Sequence, residues 1–348
     1  VVRSMDDYVS NLESWFVRNR RELPWRMDKN PYHVWISEIM LQQTRIEAVL
    51  SYYERFMKEL PTISSLADVS EDRLLKLWQG LGYYNRARNL KRAAVMIMEQ
   101  YGGIFPTTYS EIIQLPGVGE YTASAISSIC FGERQVTVDG NVMRVFTRFY
   151  NDFSNISKNR TRVMIHDKLL SVMVGDPGCF NEALMELGEV VCIPNGIPKC
   201  SICPLREGCQ SNKNCNYFMF PVKDEKRIKE EVEMTVIIPI WNDKTFVRKR
   251  KEPGLLHNLY EFYNVVGNIP MKEVKDVSKE FGKVERIKKS ICYTHVFTHK
   301  KWKMQAYFVF LESVNCRSLF YSISDIENSF ALPTAFSPFL YQLKEELK

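Results

Sequence analysis

The chain has 348 residues, 45% of them hydrophobic, which is enough apolar material for two ordinary cores rather than one. Lys and Arg number 47 against 41 Asp and Glu, a net charge of +6 that favours a polyanionic partner without deciding for one. Apolar runs are short and broken by charges, which excludes a bilayer span of about 20 residues, and the start V-V-R-S-M-D-D-Y has neither an apolar signal core nor an Arg-rich transit pattern. A cytoplasmic location is the resulting expectation. Whether Val1 to Ser4 are native ahead of Met5 stays open.

From Asp6 to about Cys215 apolar residues recur at three-to-four spacing between Gly and Pro breakers, which predicts helices, for example over Ile36 to Leu50, Leu74 to Trp78 and Thr161 to Val174. The run Lys223 to Glu233 is almost wholly charged and reads as a solvated linker. Beyond it, Met234 to Trp241, Phe246 to Arg248 and Gln305 to Leu311 are β-branched or aromatic runs of strand length, with a helical stretch at Met271 to Phe281 between them. An α-helical region followed by a smaller α+β domain is the predicted architecture.

Within the helical region, Val34-Trp35-Ile36-Ser37-Glu38 places Glu38 on one helix face with Val34 and Leu41 or Gln42. An acid among such neighbours is desolvated, so its pKa rises and it can serve as a general acid; a core Glu bonded to a neighbour would look the same. Asp139, in Val136-Thr137-Val138-Asp139-Gly140-Asn141, reads as the N-cap of the next helix, a use compatible with catalysis. Two carboxyls of opposite protonation suit glycosidic cleavage, where one protonates the leaving group and the other stabilises an oxocarbenium-like sugar.

Leu115-Pro116-Gly117-Val118-Gly119 precedes a helical run from Tyr121 to Ile129. Its glycines permit a tight turn whose N–H groups can hold a phosphate, or simply a helix-to-helix connection. Five of the nine cysteines fall in one stretch, and Cys192, Cys200, Cys203 and Cys209 form C-x7-C-x2-C-x5-C. Such spacing in a reducing compartment points to metal, with four-thiolate zinc and an iron-sulfur cluster not separated by spacing alone. Lys199 and Arg206 in this loop could face phosphates.

The segments W-I-S-E-I-M-L-Q-Q-T, G-L-G-Y-Y-N-R-A-R-N-L, L-P-G-V-G-E-Y-T, V-D-G-N-V-M-R-V and F-N-E-A-L-M-E-L-G together resemble the MutY-type adenine DNA glycosylases of the helix-hairpin-helix, endonuclease III superfamily. The resemblance implies a multidomain fold: an all-α helix-hairpin-helix glycosylase core with an iron-sulfur loop over 1–222, a linker over 223–233, and a C-terminal α+β Nudix-like domain over 234–348. In the first region it implies a six-helix barrel over about 24–132 containing the hairpin 115–129, and a cluster subdomain from about 1–23 and 133–217. It further implies that Glu38 protonates adenine at N7, that Asp139 stabilises the cationic sugar, that Tyr121 and Asn141 position these groups, and that Glu182 contacts the base.

Arg26, in L-P-W-R, is similar to part of an adenine pocket, although a buried ion pair would explain it too; Leu41, Gln43 and Tyr83 resemble residues that enter the duplex. Gly117, Val118 and Gly119 would hold DNA, and Cys192, Cys200, Cys203 and Cys209 a [4Fe-4S] cluster. The family usually has six residues between its first two cysteines and this chain has seven, so Cys215 is a conceivable substitute ligand. Tyr121 stands where endonuclease III enzymes carry a Lys, and only an amine forms the Schiff base of a lyase, which implies a monofunctional enzyme.

The C-terminal domain resembles the MutT-like module but lacks the metal-binding R-E-x-x-E-E helix, so 8-oxoguanine recognition is implied rather than nucleotide hydrolysis. That recognition would centre on Phe297, Thr298 and His299, where the family usually has Phe-Ser-His, flanked by Lys288, Lys289, Lys300, Lys301 and Lys303, which a solvated basic face would equally explain. The implied partner is duplex DNA with adenine opposite 8-oxoguanine or guanine, bound by a monomer. Competing readings are an endonuclease III-like glycosylase/lyase and a catalytically silent DNA-binding protein.

Overall fold

A computed structural model describes residues 4–225 and 228–348, which leaves Val1 to Arg3 and the linker residues Lys226 and Arg227 outside the described residues. Helices come first: α1 (Asp6–Asn19), α2 (Pro31–Leu41), α3 (Ile46–Glu59), α4 (Ile63–Asp68), α5 (Glu71–Leu77), α6 (Asn85–Gln100), α7 (Tyr109–Ile112), α8 (Glu120–Phe131), α9 (Gly140–Tyr150), α10 (Asn159–Val172), α11 (Pro177–Val190) and α12 (Gln210–Lys213). Strands follow: β1 (Glu230–Trp241), β2 (Lys244–Phe246), β3 (Arg248–Lys249), β4 (Tyr260–Glu261), β5 (Tyr263–Val266), β6 (Gly282–Val296), β7 (Lys300–Val314) and β8 (Phe320–Ser322). Among them lie α13 (Met271–Ser278), α14 (Ile323–Ser329) and α15 (Ser337–Glu346). The multidomain α then α+β reading holds. Among the described residues, no helix is long and apolar enough to cross a membrane.

The chain divides into two compact units, Val1–Asp68 with Asn89–Glu225, and Val69–Arg88 with Lys226–Lys348. In the first, α1, α9, α10 and α11 close on a core that includes Leu12, Phe16, Val145, Phe149, Leu169 and Leu184. The stretch read as one helix from Ile36 to Leu50 is two, because α2 ends at Leu41 and Gln43 takes a left-handed φ of 58° before α3 begins. At the hairpin, Gly117 is required: its φ is 79°, and a Cβ there would lie 2.4 Å from Cβ of Asn89. Gly119 then N-caps α8.

The second unit is a sheet of order β6-β7-β1-β2-β8, with β5 also on β1. β1 and β7 pair in parallel with Val236 opposite Ala306, and the other pairings are antiparallel. β1 is buried on both faces, which is why its sequence is nearly continuous apolar: Val236, Ile238 and Ile240 meet Phe339 and Leu343 of α15, while Ile237 meets Val274 of α13. Glu230 to Glu233, read as linker, are already strand in β1.

Val69–Arg88, which the sequence places with the helical region, groups with this unit. Lys76 and Gln79 donate to the carbonyls of Phe330 and Leu332 at 2.9 and 2.8 Å, and Glu71 accepts from Arg88 and Asn258 at 3.0 and 3.1 Å.

Candidate active site

A cavity of about 810 Å³ opens in the first unit, and Arg26, Glu38, Leu41, Gln43, Tyr121, Asp139, Asn141 and Glu182 all line it. Four helices supply most of them, with Arg26 in the turn before α2 and Gln43 just past its end. α2, started by Asn30 and Pro31, carries Glu38 inward, where it is only 7% exposed. α8 brings Tyr121, the start of α9 brings Asp139 and Asn141, and α11 brings Glu182. The close approach of α9 to α11 depends on Gly188, where a Cβ would sit 2.6 Å from Cβ of Asn141.

Burial pushes the Glu38 carboxyl up to about 7, with the charges of Asp139 and Glu182 adding to the rise, while contact with the Tyr121 hydroxyl and the Arg26 charge oppose it. Its Oε2 is buried with no hydrogen-bond partner. Asp139 caps α9, accepting at Oδ1 from the Val142 N–H at 2.7 Å and at Oδ2 from Asn141 Nδ2 at 3.0 Å. Burial also raises its pKa, against the pull of that N–H, Arg144 and Asn141. The cavity thus holds an acid poised near neutrality and a carboxylate tied by two hydrogen-bond donors.

Two networks support these groups; the sequence reading allowed a buried ion pair at Arg26 but did not name Arg21, Glu186 or Arg144. Arg26 Nε meets Glu182 Oε1 at 3.0 Å and its Nη2 meets Glu186 Oε2 at 3.0 Å; Arg21 clasps Glu186 through Nε and Nη2 at 2.7 and 2.9 Å. Glu186 is 1% exposed, and although burial pushes its pKa up, the arginines bring it below the ordinary value. The four-residue spacing of Glu182 and Glu186 on one helix face was the available signal. The second network is Arg144, which donates to Asn141 Oδ1 at 2.7 Å, to the Gly188 carbonyl at 2.7 Å and, through Nε, to the Cys192 carbonyl at 2.8 Å. It links the carboxylate's support to the cysteine loop.

In that loop, Cys192, Cys200, Cys203 and Cys209 are partly buried and lie within reach of one another's charge, whereas Cys215 is exposed, with its thiol facing the Asn212 carbonyl. Burial pushes Cys203 up to about 12 and Cys209 up to about 11, the behaviour of thiols held largely out of water. Arg148 Nη1 donates to Cys192 Sγ at 3.3 Å. Among the described residues, no three His, Cys, Asp or Glu side chains converge as they would on a single metal ion. Four soft, mutually close donors with a guanidinium beside them fit a larger, anionic, thiolate-held group. The seven-residue gap is taken up by a turn in which Gly196 has φ 82°.

In the second unit, Tyr83, at a strained φ of 47°, shares a hydrogen bond of 2.7 Å with Thr298, Oη to Oγ1. Thr298 and His299 lie between β6 and β7, and Phe297 packs edge-on against Trp302 at 4.8 Å. The neighbouring cations are mostly paired: Lys301 and Lys303 both reach Glu231, Lys300 reaches Glu230, and Lys288 reaches Glu346. The hairpin residues Gly117, Val118 and Gly119 are not among those lining the cavity.

Residues 36–167 match the model of the HhH-GPD superfamily base excision DNA repair proteins, and residues 235–342 match that of the NUDIX domain. An adenine DNA glycosylase of Buchnera aphidicola (subspecies Baizongia pistaciae) is 31% identical over 97% of this chain and 97% of its own length. The adenine DNA glycosylase of Mus musculus is 41% identical over 60% of this chain and 42% of its own. Among solved structures, a thermostable thymine-DNA glycosylase superposes with a TM-score of 0.54 at 28% identity, covering 60% of this chain and 96% of that one. With a helical core, a Nudix-like second unit and near end-to-end likeness to a curated relative, the chain belongs to the adenine DNA glycosylase family.

Proposed function

We propose that this protein is a monofunctional adenine DNA glycosylase that hydrolyses the N-glycosidic bond of adenine lying opposite 8-oxoguanine or guanine. The observation that carries the reading is the pairing, in one cavity, of a buried Glu38 titrating at about 7 with a capped and tethered Asp139. The flipped nucleotide enters the cavity, with Leu41 and Gln43 at its rim as wedges that offset unstacking. Glu182, held by Arg26, meets the base. Glu38 gives its proton to N7, the bond from C1′ to N9 breaks with its electrons passing to the base, and Asp139 stabilises the cationic sugar. Water then bonds to C1′ and loses a proton to a carboxylate. Asn141 keeps Asp139 in place, and Tyr121 has no amine with which to form a Schiff base.

Cys192, Cys200, Cys203 and Cys209 would hold a [4Fe-4S] cluster. Its contribution when bound is to pin a loop carrying Lys199 and Arg206 for phosphate contact, with Gly117, Val118 and Gly119 offering backbone donors to the same strand. In the second unit, Tyr83, Phe297, Thr298 and His299 form the surface that would read 8-oxoguanine. The methyl of Thr298 sits beside a hydroxyl already engaged by Tyr83, so both must accommodate the base together.

The test is a duplex carrying one adenine opposite 8-oxoguanine, incubated with the protein and analysed with and without hot alkali. Scission only after alkali is expected. Direct scission would indicate a lyase, and an intact strand under both conditions would leave a binding protein.

A further inference from the structure

Residues 132–139, which carry the chain from α8 to α9, lie in neither a helix nor a sheet, yet Val136, Thr137 and Val138 are buried. An extended backbone held out of water needs partners for its N–H and C=O groups. One side chain of α11 supplies two of them. Asn181, fully buried, accepts at Oδ1 from the Thr137 N–H at 3.0 Å and donates through Nδ2 to the Gln135 carbonyl at 2.8 Å. Its remaining Nδ2 proton goes to Ser128 Oγ on α8 at 2.9 Å, and that hydroxyl passes its own proton to the Ala125 carbonyl at 3.2 Å. A peptide N–H can only donate and a carbonyl only accept, so these partners leave the amide a single orientation, with both of its donors used.

We propose that Asn181 is a positioning residue for Asp139: its amide stands in for the peptide group of a neighbouring strand along residues 135–137 and so fixes where the chain delivers the carboxylate to the cavity. The proposal rests on Asp139 being the sugar-stabilising group of the proposed reaction. On its C-terminal side Asp139 is fixed by α9, whose Val142 N–H it caps at 2.7 Å. On its N-terminal side the fixed point is the Asn181 contact at Thr137, two residues away. An extended chain covers that interval in roughly 7 Å, so a shift at Thr137 reaches the carboxylate.

Asn181 also precedes Glu182 on α11, and Ser128 shares α8 with Tyr121. One buried amide therefore ties together the elements that bring Tyr121, Asp139 and Glu182 to the cavity. Asn181 is not among the residues lining that cavity, so its effect on the reaction runs through Asp139 and not through contact with substrate.

The full chain is made as Asn181→Asp, which keeps the volume and the acceptor for Thr137 but loses both donors. It is also made as Asn181→Ser, whose smaller side chain leaves room for a water among the same three groups and which serves if Asn181→Asp does not fold. Single-turnover release of adenine opposite 8-oxoguanine is measured beside affinity for the same duplex carrying 2′-fluoroadenosine, which resists cleavage. Release should fall by about a hundredfold in Asn181→Asp and about tenfold in Asn181→Ser, with affinity within about twofold of the parent. In an Asp139→Asn background either change should cost less than about twofold, because the group it displaces has already lost its charge. Hydrogen exchange reads the displacement without activity: the Val142 amide, capped by Asp139, should speed up about fivefold beyond any change at the Leu169 amide of α10. Release at the parent rate by Asn181→Asp, or by Asn181→Ser where that alone folds, would overturn the proposal. So would an equal loss with and without the Asp139 carboxylate, or Val142 and Leu169 amides that speed up together. A parent chain that releases no adenine while Val142 still responds would sink the functional reading and leave the positioning intact; adenine release by the parent with an unresponsive Val142 would do the reverse.

Discussion

The catalytic cavity and the Tyr83–Thr298 surface use polar residues in opposite ways. In the cavity Glu38 and Glu186 are buried and Asp139 is half-buried, and each departs from its ordinary titration through its surroundings. On the second surface Tyr83 is 46% exposed, its link to Thr298 is a single hydroxyl contact, and the flanking lysines lie against glutamates at the surface. Burial is what converts a carboxyl into an acid usable near neutral pH, and it demands a supporting network; the base recognition proposed for the second surface would demand access, which suits residues held by backbone geometry and a few light contacts.

That contrast is tested most strongly by Glu38→Gln. Adenine release should fall by about a thousandfold while duplex binding is kept, because the amide fills the same space without a proton to give. The same change should raise stability at neutral pH by about 1–3 kcal/mol. The sign follows from a folded-state pKa raised from 4.5 to about 7: ionisation is penalised in the fold, so stability is lost as pH rises between those values, and Gln removes that loss. Chemical denaturation at pH 5 and 8 measures it.

Glu186→Leu breaks the network rather than the chemistry. It leaves Arg21 and Arg26 without their shared carboxylate and should cost about 3 kcal/mol, read as a fall in melting temperature. Since the Glu186 pKa is lowered in the fold, its contribution is fully present at neutral pH and disappears as pH falls below the ordinary glutamate range, so variant and parent should converge in acid.

On the other surface smaller effects are expected. Thr298→Val or Tyr83→Phe removes one hydroxyl of the 2.7 Å contact and should lower the preference for 8-oxoguanine over guanine by about two- to tenfold, measured as a ratio of single-turnover rates. Smallest is Glu231→Gln, which releases Lys301 and Lys303 at the surface and should leave the melting temperature unchanged.

Part of the cavity was legible from local signals, Glu38 within an apolar helix face and Asp139 before Gly140-Asn141 where a helix begins, whereas Glu182 was reached only through the family resemblance of F-N-E-A-L-M-E-L-G. Arg21, Arg144 and Asn181 were not legible, since each acts through a partner distant in the chain, such as Cys192 for Arg144 at 44 to 48 residues from its contacts. In the second unit β1 and β7 announced themselves by apolar runs buried on the sheet. β6 did not: it is largely exposed and rich in lysine, so it lacks the alternation that marks a half-buried strand and forms because β7 offers it a ladder. The placement of Val69–Arg88 with the second unit was hidden for the same reason, being set by contacts to Phe330, Leu332 and Asn258.

The central claim is that a buried glutamic acid protonates the leaving adenine, and the pH dependence of single-turnover adenine release tests it most directly. The rate should decline as pH rises through about 7, in step with the loss of the Glu38 proton. A rate that stays level to pH 9 in the unsubstituted chain would contradict it.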